Sequence, residues 1–179
     1  MRADWVKPDY FLMVLASMMP ENRLALLVEM ATGLRIGDVL SLRTVQLQNG
    51  QRFTVREQKT GKGKRVYLKK PLYDALLRQA GRVWVFPGRV DERKHRTRQA
   101  VWKDLKRCAK LWRCAVMPGR KENWGTHTAR KIYAVAELQR TGELKAVQKA
   151  LNHSSIELAA LYALADQLQT KRAGDAKKS

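Results

Sequence analysis

Four short segments gather residue types able to handle an anionic group and move a proton. In "ATGLRIGDVLSL", residues 31–42, Arg35 opens a helix after a Gly33 hinge, and Asp38 follows on the same face one turn later. An arginine fork can take two oxygens of a phosphate, and an acid three residues on can hold the fork in place. "QKTGKGK", residues 58–64, supplies Lys59, Lys62 and Lys64 on one short turn. "THTARK", residues 126–131, puts His127 and Arg130 three apart at a helix start that Thr126 is placed to cap. In "LNHSSIELAALYALAD", residues 151–166, Ser154 or Ser155 caps a helix whose stripe runs Ile156, Ala159, Ala160, Ala163 and Leu164. Tyr162 lies roughly 130° from the centre of that stripe, which argues against a core tyrosine. Each segment alone is ordinary, since an Arg–Asp pair at this spacing is usually a surface salt bridge. Together they offer a hydroxyl nucleophile, two imidazoles that titrate near neutrality and several fixed cations.

The charge balance says what those cations address. The chain has 179 residues with 36 Lys+Arg against 16 Asp+Glu, a formal charge of +20 and a pI near 10.5. Residues 89–107 alone carry Arg89, Arg93, Lys94, Arg96, Arg98, Lys103, Lys106 and Arg107 against Asp91, Glu92 and Asp104. Basic charge spread through a foldable sequence reads as a surface that tracks nucleic-acid phosphates. Metal-assisted chemistry would need grouped carboxylates, yet the acids are scattered and the adjacent pair Asp91-Glu92 sits among arginines. His95, His127 and His153 have no i, i+4 partner or neighbouring cysteine, so neither metal nor other cofactor is expected. The apolar run "YFLMVLASMM" is about ten residues against the roughly 20 that span a bilayer, and no export signal pattern opens the chain. Cys108 and Cys114 read as reduced thiols, so a cytoplasmic, nucleoid-associated protein is expected.

The elements that must position these groups are mostly helical. Apolar residues recur at helical spacing in Leu24/Leu27/Val28/Ala31, Ile36/Val39/Leu40, Leu72/Ala75/Leu76, Val101/Leu105/Cys108/Ala109/Trp112 and Ile132/Val135/Ala136. Residues 51–58 instead alternate around Phe53 and Val55, Thr60 to Gly63 makes a turn, and Val66-Tyr67-Leu68 resumes an extended pattern. That is a β-hairpin with a basic tip, and "VWVFPG", residues 83–88, is the candidate third strand. No repeat or linker divides the chain, so one domain is expected over 1–170, with a mobile basic tail over 171–179.

The ordered set Arg35, a hairpin lysine, His127-x-x-Arg130, His153 and, nine residues later, Tyr162 resembles the signature of the tyrosine recombinase (phage integrase) family. The likeness runs from about residue 8 to 168. It implies an α+β fold, mostly helical with a small antiparallel three-stranded sheet, and a DNA strand transferase that works without metal. By that resemblance Tyr162 attacks the scissile phosphate and His127 is the general base. Arg35, Arg130 and His153 hold the nonbridging oxygens, and Asp38 supports Arg35. The hairpin lysine that protonates the leaving 5′-oxygen is Lys59, with Lys62 the second candidate. Lys62, Lys64, Arg65, Arg93, Lys94, Arg96, Arg98 and Lys131 are assigned to DNA binding. Double-stranded DNA is the implied partner, bound as a homotetramer, with a monomer when free.

The sequence departs from the family where Ala129-Arg130-Lys131 replaces Leu-Arg-His and Leu151-Asn152-His153 replaces Leu-Gly-His. Relatives also usually carry an N-terminal helical domain that clamps the DNA. The alternatives are a type IB topoisomerase activity, which would use the same groups to relax supercoils, and a noncatalytic DNA-binding accessory protein.

Overall fold

The computed structural model describes residues 3–115, 123–165 and 167, with no side-chain description for 114 and 115. The tail over 171–179 lies outside the described residues. Helix α1 (Pro8–Ala16) and helix α2 (Pro20–Thr32) each begin with proline, whose missing N–H costs nothing in the first turn. Helix α2 stops at Gly33, which adopts the left-handed conformation with φ 63°. The turn through Leu34 and Arg35 leads into α3 (Ile36–Leu40), followed by α4 (Thr44–Leu47).

Strands β1 (Arg52–Arg56) and β2 (Gly63–Tyr67) pair antiparallel, with Phe53 opposite Val66 and Val55 opposite Lys64. Among the described residues the sheet has these two strands and not three. Residues 83–88 make only isolated bridges, Arg43 with Trp84 and Pro87 with His95. Val85 and Phe86 are buried there as anchors for a loop. The apolar run thus reflects burial rather than membership of the ladder, which periodicity over so few residues does not distinguish.

Helices α5 (Lys70–Gln79), α6 (Arg98–Ala115), α7 (Thr126–Thr141), α8 (Leu144–Leu151) and α9 (Ile156–Ala163) complete the described chain. Helix α2 packs on α7, and α8 and α9 pack on α7 and on each other. The main core joins Phe11, Leu15, Leu26, Val28, Leu40, Leu68, Phe86, Leu105 and Trp124. A second cluster, Ala134, Val147, Leu151, Ala159 and Ala163, holds the C-terminal helices onto α7. Ile156 is exposed, so the buried stripe of α9 is narrower than its spacing suggests. Cys108 is a buried free thiol, whereas the side chain of Cys114 lies outside the described residues. No described helix is long and apolar enough to cross a membrane.

Candidate active site

The corner between α2 and α3 is clamped from two sides. Arg130 of α7 donates from Nη1 to the Gly33 carbonyl and from Nη2 to the Leu151 carbonyl at 2.7 Å. Lys64 of β2 donates to the preceding carbonyl, that of Thr32, at 2.6 Å, with its ammonium 5.3 Å from the Tyr133 ring centre. These bonds satisfy carbonyls that the end of α2 leaves without helical partners. They also fix the segment whose next residue but one, Arg35, is the N-cap of α3. Burial, together with the charge of Arg130, lowers the Lys64 pKa to about 8.

Arg130 is buried, with its charge close to that of Arg35, and burial followed by that repulsion lowers its pKa. Two guanidiniums whose charges repel each other favour an anion near both, because it relieves that repulsion. Beneath them, Glu29 of α2 is fully buried, and burial pushes its carboxyl well above the usual range against the pull of Arg130.

Helix α7 begins at Thr126, with Gly125 as N-cap instead of Thr126. The Gly125 N–H donates to the Thr128 hydroxyl, which itself donates to the Asp4 carbonyl. His127 therefore falls in the first turn, facing α9. At the other end Ser155, one of the two serines the sequence offers, caps α9 by accepting from the Leu158 N–H at 3.3 Å. This brings the Tyr162 hydroxyl to 3.4 Å from His127 Nδ1. The Tyr162 ring meets that of His153 edge to face at 5.1 Å, and the Lys131 ammonium sits 5.9 Å from its centre.

His127 reaches solvent, yet surrounding protein and the charges of Arg130, Arg35, Lys131 and Arg98 lower its pKa. His153 is buried, and burial followed by the charges of Arg130 and Arg35 pushes its pKa down to about 4. Both imidazoles are thus neutral near pH 7: His127 is able to accept a proton, and His153 acts as a hydrogen-bonding group rather than a cation. His153 Nδ1 is buried and finds no hydrogen-bond partner among the described residues. The residue before it, Asn152, has φ 50°, the only positive φ outside glycine among the described residues. Asparagine tolerates this conformation better than most side chains, so it serves where the family pattern has glycine.

The hairpin departs from the expected wiring. The Asp38 carboxylate accepts from the Gln58 N–H at 2.9 Å, so it braces the hairpin and acts on Arg35 only through its charge. The acid bonded to Arg35 is Glu57, at 3.0 Å from Nη1. Sequence reasoning missed Glu57, although the alternation of β1 marks it: Phe53 and Val55 point inward, and Glu57 is the next residue in that register. Lys59 and Lys62 are exposed on the turn, and the charge of Lys59 is felt at His153.

Three residues assigned to DNA binding are turned inward. Lys64 is spent on the Thr32 carbonyl, and Lys131 is 7% exposed and faces Tyr162. Arg96, at 9% exposed, donates to Asn22, whose amide in turn donates to Asp104. Their charge satisfies interior groups, a use that a count of basic residues does not reveal. Lys62, Arg65, Arg93, Lys94 and Arg98 are exposed, with Arg93 and Lys94 paired to Asp91. Arg98, at the start of α6, borders an open cleft with Ile36, Trp102, Thr126 and His127. Trp102 is 46% exposed there, a large apolar surface beside the candidate base that the sequence reading left unassigned.

The model of the phage integrase family matches residues 12–168. A probable integrase/recombinase, YoeC of Bacillus subtilis (strain 168), is 28% identical over 171 residues, covering 93% of this chain and 83% of the relative. The tyrosine recombinase XerD of Agrobacterium fabrum is 30% identical over 168 residues, covering 78% of this chain and 48% of the relative. Among solved structures, XerH site-specific recombinase bound to a palindromic difH substrate in a post-cleavage complex superposes with a TM-score of 0.70 at 21% identity. That match covers 98% of this chain and 54% of XerH. The catalytic domain of bacteriophage HP1 integrase gives 0.66 at 19% identity, covering 92% of this chain and 89% of that one. The chain thus spans about half the length of XerD and XerH. The arginine corner, the paired imidazoles and the tyrosine on α9 are therefore set in a known scaffold: this chain belongs to the phage integrase family of tyrosine-type recombinase enzymes and has their catalytic-domain fold.

Proposed function

We propose that this chain is the DNA breaking and rejoining domain of a site-specific recombinase, cutting through a 3′-phosphotyrosyl intermediate. The observation that carries the reading is the Tyr162 hydroxyl, 3.4 Å from His127 Nδ1, beside the charges of Arg35 and Arg130 and the ring of His153. The Tyr162 oxygen attacks phosphorus while its proton passes to His127. Arg35, through the donors that Glu57 leaves free, and the charge of Arg130, with the His153 ring, hold the nonbridging oxygens as charge builds on them. The bond from phosphorus to the 5′-oxygen breaks, and Lys59 supplies the proton that oxygen takes up. The phosphotyrosyl ester preserves the phosphodiester bond's energy, so a 5′-hydroxyl from another strand reverses the step and completes exchange without ATP. XerH is captured with a DNA substrate, which supports duplex DNA as the partner of this chain too. Tetramer assembly on DNA, a monomer when free and association with the nucleoid belong to the same proposal.

The test is covalent trapping in EDTA. Wild type and Tyr162→Phe are mixed with nicked suicide duplexes taken from DNA flanking the gene and run on a denaturing gel. A shifted band with wild type alone is the expected result. A band that persists with Tyr162→Phe overturns the nucleophile. No band with wild type, when binding is present in the same samples, overturns cleavage by this chain.

A further inference from the structure

We propose that Glu57 is a positioning residue that locks Arg35 to the lysine-bearing hairpin turn, so that the arginine and the leaving-group acid act as one unit. The inference rests on the cleavage reading above and adds to it how two catalytic elements from different parts of the chain are kept in register.

Glu57 is fully buried, at 0% exposed. An acid in that place is costly to desolvate, so the partners of its two oxygens say what it is for, and Oε1 finds none among the described residues. One oxygen, Oε2, accepts from Arg35 Nη1 at 3.0 Å and from the Thr60 hydroxyl at 2.8 Å. The same residue closes the turn through its main chain: its N–H donates to the Lys62 carbonyl at 3.0 Å, and its carbonyl accepts from the Gly61 N–H at 2.8 Å. Lys59 sits inside this loop. Next along the chain, the Gln58 N–H is held by Asp38 of α3, the helix that Arg35 opens. Two buried carboxylates therefore fasten the turn to the arginine corner, and Glu57 is the one that touches the arginine itself.

The geometry leaves the arginine usable. Among the described residues Arg35 makes no other hydrogen bond, and its side chain is 19% exposed. One nitrogen is anchored inward while its remaining donors are available for a phosphate. Loss of the anchor would let the guanidinium swing and release the turn from it, a fault in orientation rather than in binding.

The experiment measures single-turnover cleavage by wild type, Glu57→Gln and Thr60→Val on three versions of the trapped duplex. These carry an ordinary phosphodiester, a methylphosphonate at the scissile position, and a 5′-bridging thiolate. On the ordinary ester Glu57→Gln is expected to lose about tenfold to a hundredfold in rate with noncovalent binding little changed. On the methylphosphonate, which lacks the anionic oxygen that Arg35 serves, that deficit should shrink to under about threefold. Thr60→Val, which keeps the buried acid but removes its link to the turn and the bond that the Thr60 hydroxyl takes from the Lys62 N–H, should show a smaller loss that the thiolate relieves. A Glu57→Gln deficit equal on all three substrates would mean general damage to the fold and overturn the proposal. So would wild-type rates for both variants, or, if Glu57→Gln does not fold, a Thr60→Val loss that the thiolate fails to relieve. No adduct with wild type would overturn the cleavage reading and this refinement together.

Discussion

Adding a single methyl group at Gly33 tests the arginine corner. Gly33 ends α2 at φ 63°, and a Cβ built there would lie 2.3 and 2.5 Å from Cδ1 and Cε1 of Tyr133. The left-handed backbone costs alanine about 1–2 kcal/mol relative to glycine. Forcing the methyl against an aromatic ring adds about 1–3 kcal/mol, because the ring is itself confined between the Lys64 ammonium and the cluster under α8 and α9. Gly33→Ala should therefore lose about 2–5 kcal/mol of unfolding free energy, read as a fall in the urea midpoint at unchanged slope. In a Tyr133→Ala background the clash is gone, and the same substitution should cost only the backbone part, about 1–2 kcal/mol. The Gly33 carbonyl also receives Arg130, so cleavage by the folded fraction should fall as well. A single-mutant cost under about 0.5 kcal/mol, or an equal cost with and without the Tyr133 ring, would refute the reasoning.

Three more outcomes follow from the same geometry. The folded-state pKa of His153, about 4, lies below the ordinary 6.5, so as pH falls through that window the unfolded chain binds a proton that the folded chain refuses. Stability should drop with falling pH by up to about 3 kcal/mol, level off below pH 4, and lose this dependence in His153→Asn, as measured by urea unfolding across the window. Arg96→Ala should cost about 1–3 kcal/mol by stranding the Asn22 carbonyl oxygen, while the salt dependence of DNA binding stays at the wild-type slope. The three hairpin lysines should separate by assay. Lys59→Ala slows cleavage of an ordinary ester and recovers on the thiolate, and Lys62→Ala does neither. Lys64→Ala lowers the thermal midpoint, because it uncaps the Thr32 carbonyl.

What the sequence determined by itself is local. Helical spacing placed α2, α6 and α7, Gly33 marked a hinge before Arg35, Ser154 or Ser155 marked a start, and alternation around Phe53 and Val55 marked the hairpin. These follow from backbone sterics and side-chain periodicity, which act within a few residues and are visible in a string of letters. The order and spacing of Arg35, His127, Arg130, His153 and Tyr162 likewise carried the family, because these residues stand in short segments that can be recognised whole.

Tertiary structure alone decided which charges face inward. Lys64, Arg96 and Lys131 are as basic as Lys62 or Arg98, but each fills an interior position where a carbonyl, an amide or a ring requires it. It also decided that Glu57 rather than Asp38 holds Arg35, and that residues 83–88 anchor a loop instead of extending the sheet. Asp38 sits one helical turn from Arg35, and local spacing favours that pair. Arg35 belongs to the N-cap, however, and points toward the hairpin, so its acid comes from 22 residues away. A long-range partner of this kind depends on how the hairpin docks on α3, and that docking comes from the summed packing of the whole core rather than from any pattern at the residues themselves.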